Sequence, residues 1–599
     1  MAARSFFAEL KRRNVLRAAL LYVGAIWALA QGVASLGPPL GVPDWVTRAI
    51  VLVGALGFPF WLSFAWFYEL TPEGLKRESD IAPSESIAVN TGRRLDFLII
   101  AVLGIAVALL LADRFFLRRG ANPAVAEKSI AVLPFANTSG DAGNEYFSDG
   151  MSEELINALG RLQDLTVIGR SSSFQFKGKG EDAKSIGAKL GVAYLLEGSV
   201  RKAEDKVRIA VELVKATNGA SVWSETYDRD LKDIFALQSD IAMQVARKLQ
   251  STLLGNAGAA AGTHDLKPDA PPSGNVTAYN ALLQGNFYFE RRTEEDIRKA
   301  IDLYQQATQL DARYALAHAK LTYARIELDA SFTPSAGAAR AALQAEVRDA
   351  LAAARAVDPE SADLHLAQGY VLEVLDFDLP GAQAEYLRAA KLAPQNPLVA
   401  VRLALIQSYV GQFEAAAAGF RHMLTLDPLS ARGHQYLGTA LARLGRYAEA
   451  EAMLRQGIEL QPQAAVQHAY LAGLLVLEGH AADALATAKQ EPDEFWRNWA
   501  LAFAADANGD RAASDRALDW LIKNDADDGA SQIAQVYGYR KQPDEAFKWL
   551  DHALESHDGG LQQMRISLFL APYEKDARYA AIARKVRVWD ESGANVRQP

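Results

Sequence analysis

The chain has no cysteine in 599 residues, which removes disulfides, thiolate metal sites and thiol nucleophiles and leaves the redox compartment undecided. It also lacks a basic surplus: 63 Lys+Arg stand against 72 Asp+Glu, a formal net charge of −9. Residues 251–599 carry 34 basic and 45 acidic side chains, a net of −11. Binding a nucleic-acid backbone needs a basic stripe that displaces counterions, so no nucleic-acid partner is expected. Catalytic signatures are missing as well. There is no His-Glu-x-x-His and no Gly-x-Ser-x-Gly, and Gly178-Lys179-Gly180 lacks the spacing of a phosphate loop. No catalytic residue, cofactor or metal site is assigned, and the chain reads as a non-enzyme. Its length and its 23% charged residues imply several folded domains rather than disorder.

Charge is absent from three stretches near the amino end, Ala18–Pro43, Ala49–Tyr68 and Phe97–Ala112. About 20 residues cross a hydrocarbon core, so the first two qualify. The third is shorter, but Phe115, Phe116 and Leu117 extend it while Asp96, Asp113 and Arg114 snorkel. Residues 1–119 are therefore expected to form a three-helix transmembrane anchor, with Gly24, Gly32, Gly54 and Gly57 allowing close helix approach. Arg4, Lys11, Arg12, Arg13 and Arg17 precede the first stretch, and the loop after it, 37–47, has no Lys or Arg. The amino terminus is thus expected in the cytoplasm. Lys76, Arg77, Arg93 and Arg94 agree, whereas Arg114, Arg118 and Arg119 oppose. The majority implies a multi-pass inner-membrane protein, in contact with the lipid bilayer, whose later domains lie in the periplasm. A competing reading makes the first stretch a signal peptide cleaved after Ala28-Leu29-Ala30.

Residues 128–253 read as a small α/β domain. Ser129–Phe135 is an apolar, β-branched run ended by Pro134, hence a buried strand. A helix is expected from Asp149 to Leu162, with Asp149 as its N-cap, then a strand over Leu165–Ile168 and a helix over Asp182–Leu190. Ala193–Arg201, Val207–Lys215 and Ser221–Tyr227 form an antiparallel meander, and a long helix closes the domain over Leu231–Leu253. Polar candidates here are Asn137, Asp149, Arg170, Ser172, Ser173, Lys177 and the run Trp223–Arg229. Ser171–Ser173 reads as a solvated loop, and Trp223 and Tyr227 read as core packing.

Five words in order, SIAVLPFANTSGD, YFSDGMSEELINAL, SSFQFKG, LLEGSVRKAEDKVRIAVELV and WSETYDRDLKDIFALQSDIA, resemble the TolB amino-terminal-like domain. That domain follows transmembrane anchors in some membrane-bound transcriptional activators and adenylate cyclases that carry carboxy-terminal repeats. The resemblance implies a periplasmic, non-catalytic interaction module.

Residues 254–276, with Pro268, Pro271 and Pro272, read as a linker. Beyond it Ala382, Ala416, Ala450 and Ala484 recur 34 apart, as do Gly411, Gly445 and Gly479, and Pro394, Pro428 and Pro462. A 34-residue period with small residues at helix crossings and Pro after the second helix is the tetratricopeptide signature. Residues 277–590 are expected to form an all-α superhelix of seven to eight helix pairs with a concave groove. The fold class is therefore multidomain: transmembrane α-helices, a small α/β domain of TolB amino-terminal-like type, then an all-α tetratricopeptide superhelix. The tail QIAQVYGYRKQPDEAFKWLDHAL with LFLAPYEKDARYAAIARKV resembles the closing repeat and cap of such proteins. His318, His365, His434 and His468 each take the fourth place of a first helix, a packing ladder rather than a metal site.

The second, fifth, sixth, ninth, twelfth and thirteenth places of each first helix face the groove. They select Tyr370, Glu373, Arg402, Tyr409, Arg432, Gln435, Tyr436, Arg443 and Tyr470 as partner-binding candidates, with the three arginines suited to a peptide carboxylate. The expected function is a periplasmic scaffold or assembly factor, anchored in the inner membrane, that binds a protein or peptide of the cell envelope. The alternative is an envelope sensor signalling through its membrane helices to a cytoplasmic partner. An envelope hydrolase is the third reading. The partner's identity and the oligomeric state are not encoded in any motif.

Overall fold

A computed structural model describes residues 126–586 apart from 163–164, 255–268 and 333–337, and in the amino-terminal part the stretches 19–20, 22–27, 29, 52–62, 68–71 and 74–77. The chain divides into two compact units, Met1–Ala124 and Val125–Pro599.

In the first unit, and among the described residues, no helix is long and apolar enough to cross a membrane. Tyr68, the end of the second uncharged stretch, already belongs to a strand: Tyr68–Thr71 (β1) pairs antiparallel with Gly74–Arg77 (β2). These findings correct the expected transmembrane α-helices, and with them the multi-pass inner-membrane location and the periplasmic placement derived from it. Absence of charge is necessary for a span, but it does not by itself set the length of a helix. The third stretch, 97–112, lies outside the described residues. Gly54 and Gly57 do permit close approach, since the Tyr22 hydroxyl donates to the Gly54 carbonyl at 3.0 Å and a Cβ on Gly57 would collide with that hydroxyl.

The second unit opens with a mixed sheet. Its strands are Ala126–Val132 (β3), Ala136–Asn137 (β4), Thr166–Val167 (β5), Val192–Ala203 (β6), Lys206–Lys215 (β7) and Ala220–Asp230 (β8). The order is β5-β3-β6-β7-β8 with β4 beside β6; β3 is parallel to both neighbours, and β6, β7 and β8 form the expected meander. Helices Glu145–Gly160 (α1) and Ile234–Leu254 (α3) cover one face and Ala183–Leu190 (α2) the other. Side chains alternate along a strand, so Ile130 and Val132 enter the core under α1 and α3 while Ala131 and Leu133 enter the core under α2. Burial on both faces explains the unbroken apolar run of β3. Asp182 caps α2 by accepting from Ser185 N at 2.9 Å. Asp149 does not cap α1, which starts four residues earlier at Glu145; it lies buried inside that helix and accepts from Lys177 Nζ at 2.6 Å.

Eight helix pairs follow among the described residues: Val276–Phe289 and Glu294–Leu310 (α4, α5), Ala315–Phe332 and Ala338–Val357 (α6, α7), Ala362–Val374 and Leu379–Leu392 (α8, α9), Pro397–Tyr409 and Phe413–Leu426 (α10, α11). Then come Ala431–Arg443 and Tyr447–Leu460 (α12, α13), Gln467–Leu477 and Ala481–Ala488 (α14, α15), Glu494–Ala507 and Arg511–Asn524 (α16, α17), Ala530–Tyr539 and Pro543–Ser556 (α18, α19), and finally Ala577–Lys585 (α20). Ser361, Asn396, Ser430 and Asp493 cap their helices by accepting backbone N–H bonds. The periodic glycines end first helices: Gly411, Gly445 and Gly479 have φ of +81°, +73° and +82°, a left-handed turn in which a Cβ is costly. The periodic alanines 382, 416, 450 and 484 are fully buried where paired helices cross.

Module and array share a core. Tyr279 and Leu283 of α4 belong to the apolar cluster under the sheet, and Gln238 of α3 donates to the Tyr279 hydroxyl. At Gly150 of α1 a Cβ would come within 2.7 Å of Leu283, so the two helices meet at backbone distance.

Candidate functional site: the concave face of the array

The even-numbered helices α4 to α18 line one continuous face, whose two halves are built differently. In the first half Arg402 of α10 is enclosed. Its guanidinium lies 3.7 Å from the Tyr370 ring centre and donates to the Tyr323 hydroxyl at 2.9 Å, with Glu373 at 3.5 Å and Glu327 at 3.9 Å. The Tyr370 hydroxyl donates to Glu327 at 2.9 Å and that of Tyr386 to Glu373 at 2.5 Å. Burial raises the Glu373 carboxyl above its ordinary range and Arg402 opposes the rise. Burial also disfavours the Arg402 charge, but Tyr323, Tyr370 and Glu373 outweigh it and hold the cation.

This network continues into a cleft under the α/β module, lined among others by Glu153, Asn286, Glu290, Arg292, Lys320 and Asp363. Arg170 lies 3.2 Å from Glu153 and 3.4 Å from Glu290, while Arg292 lies 3.2 Å from Glu327. Burial pushes the Glu153 and Asp363 carboxyls up, against the pull of Arg170 and Lys320 respectively.

A second dock ties the module to the array. The hydroxyls of Ser171 and Ser172 donate to the two carboxylate oxygens of Asp427, Leu429 N donates to Ser172 Oγ at 2.9 Å, and Gly169 N donates to the Leu426 carbonyl at 2.7 Å. The serine run is therefore not a solvated loop: Ser172 and Ser173 are buried. Burial raises the Asp427 carboxyl, and the two serine hydroxyls oppose the rise.

The second half of the face is occupied by the chain itself. Between α19 and α20 the segment 558–574 turns back across the even-numbered helices. Asp558 fixes its start by accepting from Ser531 N at 2.7 Å. Gln562 donates to the Glu373 carbonyl of α8 at 2.6 Å, and Arg565 donates to the Val410 carbonyl after α10 at 2.8 Å. Phe569 stacks on Phe503 of α16 at 4.1 Å and reaches Trp499 edge-on at 6.4 Å. Glu574 accepts from Arg443 of α12 at 2.5 Å. A small cavity remains beside the segment, bounded by Tyr470, Trp499, Gln532, Gln535 and Phe569.

The sequence candidates distribute over both halves. Tyr370, Glu373, Arg402 and Tyr409 are buried or nearly so within the first network. Tyr409 is buried, and its hydroxyl is pushed up by that burial. Arg443 is spent on Glu574 and covers the Phe413 ring at 4.7 Å. Gln435 is buried; Tyr436 is half-buried, stacked on Phe420 at 5.6 Å. Tyr470 packs on Trp499 at 5.6 Å, and burial pushes its hydroxyl up to about 12. Arg432 alone among the three arginines is exposed. Tyr323 and Glu327 were not selected from sequence, although they occupy the ninth and thirteenth places of α6, the same places that select Tyr370 and Arg443. Arg565 and Phe569 follow no repeat place and carried no such signal. Histidines of the ladder have local neighbours: His365 Nδ1 lies 2.7 Å from Glu385 and His434 Nδ1 lies 2.9 Å from the Ser430 carbonyl.

Residues 431–463, α12 and α13, match the tetratricopeptide repeat family. The helical region is a tetratricopeptide array. Residues 126–244 match the second domain of HilA/YgeH-like transcriptional regulators. These matches bear out the repeats; they do not show the TolB-like domain. Putative adenylate cyclase 3 of Rhizobium meliloti is 34% identical over 197 residues, which cover 33% of this chain and 32% of that one. The match thus spans about a third of the relative's length. Among solved structures the array is similar to PilF of Pseudomonas aeruginosa, with 18% identity over 34% of this chain and 92% of that one and a TM-score of 0.28. It is also similar to a thermophilic tetratricopeptide protein of Thermus thermophilus, with 22% identity over 35% of this chain and all of that one and a TM-score of 0.24.

Proposed function

We propose that the protein is a protein-binding scaffold, in which the tetratricopeptide groove recognises a polypeptide partner and the α/β module stiffens and flanks that groove. The observation that carries this reading is the continuous concave face itself, because the even-numbered helices present Tyr436, Tyr470 and exposed Arg432 where a bound segment would cross them. Stacked repeats bury their apolar faces on one another and leave such a face for recognition. Tyr370, Arg402, Tyr409, Gln435 and Arg443 act from beneath, holding the wall in shape. The match of residues 126–244 to a domain of transcriptional regulators supports the reading of the module as part of a regulatory assembly, while the similarity to a chain named as an adenylate cyclase weighs against calling it non-catalytic. Its resemblance to the TolB amino-terminal-like domain points to an interaction module.

The test places a photo-crosslinking residue at Tyr436 of the full chain in its native cells, with Glu451 on the outer helix α13 as control. A discrete polypeptide adduct at Tyr436, absent at Glu451 and diminished by Arg432→Glu, is expected. Equal adducts at both positions would remove the groove from the function.

A further inference from the structure

We infer that the groove selects a partner segment with an arginine followed four residues later by an aromatic ring, and that the chain's own residues 558–574 occupy the site as an internal competitor until such a partner displaces them. The inference rests on the protein-binding reading above and adds the chemistry of what is bound.

The segment lies on the wall as a peptide ligand would. It makes side-chain contacts with α8, α10, α12, α16 and α18, five first helices of successive or near-successive repeats, and it also packs on the last pair, where the Tyr573 hydroxyl donates to the Gly538 carbonyl of α18 at 2.9 Å and the Tyr573 ring meets Phe547 of α19 edge-on at 6.2 Å. Its own backbone forms only short 3-10 turns, Gly559–Gln563 and Ala571–Tyr573. Leu561, Met564 and Leu570 are buried in the apolar core of the array, and Arg565 and Phe569 enter it at two separate places. Arg565 enters the wall at the turn after α10, where Gly411 leaves the room: a Cβ there would stand 2.5 Å from the guanidinium. The cation is buried and donates to the Val410 carbonyl, a backbone acceptor that any incoming guanidinium can use. Phe569 fills an aromatic slot formed by Trp499, Phe503 and Tyr539, with ring centres at 6.4, 4.1 and 5.6 Å. Gly473 forms the floor of that slot, where a Cβ would stand 3.6 Å from the Phe569 ring, in ordinary contact with it. The slot takes any flat ring and the turn takes any guanidinium, so recognition is set by the four-residue spacing. The cavity beside Phe569, bounded by Gln532 and Gln535, leaves space at the edge of the slot where exchange can begin.

A tethered segment competes at an effective concentration of about millimolar, so a peptide added in trans is weakened by the same factor that the tether supplies. The experiment uses the full chain and a fluorescein-labelled peptide with the sequence of residues 557–576. The wild type and Arg565→Ala/Phe569→Ala are titrated with it, and a peptide carrying the same two changes is the control. At least about tenfold tighter binding to the variant than to the wild type is expected, with no binding of the control peptide. Equal binding to both chains, or none to a variant that unfolds cooperatively like the wild type, would overturn the proposal. Should the double variant fail to fold, Phe569→Leu is used, and binding between that of the wild type and a vacated groove is expected; if that chain also fails to fold, the segment is core and the proposal falls. A wild type that sediments as a dimer and becomes a monomer in Phe569→Leu would put a second copy in the groove and likewise overturn it. Loss of peptide binding with the Tyr436 adduct retained defeats this inference alone, whereas peptide binding without any adduct defeats the scaffold reading alone.

Discussion

Over α4 to α10 the concave face carries charges and phenols that pair with one another and with the α/β module. Over α12 to α18 it carries rings and small residues against which the carboxy-terminal segment lies. One helical frame therefore supports two uses of the same repeat positions. In the first half a groove place holds a buried, mutually satisfied network, and such networks rigidify because each member left unpaired is costly. In the second half the places meet a separate stretch of chain, which buries Leu561, Met564, Phe569 and Leu570 against them and adds hydrogen bonds from Gln562 and Arg565. The repeat pattern thus sets which residues face the groove, while the elements laid across it decide which of them remain open.

Four perturbations act on this contrast, the strongest first. Tyr279→Ala removes a fully buried ring from the core shared by module and array; a loss of about 4 kcal/mol is expected in urea unfolding, with module and array no longer melting together. Arg402→Ala leaves Glu327 and Glu373 without the cation between them, and a loss of about 3 kcal/mol is expected. Adding Glu373→Gln should recover part of that loss, a coupling that a double-mutant cycle reads directly. Asp427→Ala strips Ser171 and Ser172 of their shared acceptor and should cost about 2 kcal/mol, measured as earlier proteolysis between module and array. The smallest effect is on pH. Burial lowers the pKa values of His434 and His468 below the ordinary 6.5, against the pull of the Ser430 carbonyl and of Glu491 respectively. The unfolded chain then binds more protons than the folded one below about pH 6.5, so stability is full above that pH and declines as pH falls toward the lowered folded values. His434→Gln should flatten the decline in a set of melting curves.

Much of the second unit was legible because local chemistry determined it. The apolar run Ser129–Phe135 read as a buried strand and overlaps one, Ala126–Val132, the three alternating runs after it form the expected meander, and Gly411, Gly445 and Gly479 recur at the 34-residue period of the array. Tyr323 would have been found by carrying the ninth-place rule one helix back. What could not be read depended on distance along the chain. Ser172 meets Asp427 across 255 residues, and Arg565 meets the Val410 carbonyl across 155; neither has a periodic signature. Arg402 and Arg443 were expected to meet a partner's carboxylate, and their observed acceptors are internal. At the amino end the expectation of membrane spans rested on missing charge over three stretches, which does not reveal that Tyr68, at the end of the second, enters a hairpin.

The most direct measurement is amide hydrogen exchange on the full chain, comparing residues 558–574 with α1 and α4. The segment is expected to exchange by a local opening well below the global unfolding free energy, while Leu283 and its neighbours in the shared core exchange only on global unfolding. Addition of the peptide of residues 557–576 should speed exchange in the segment and leave α12 and α16 protected. Protection of the segment equal to that of the shared core, unmoved by the peptide, would contradict an exchangeable occupant and make the second half of the groove as closed as the first.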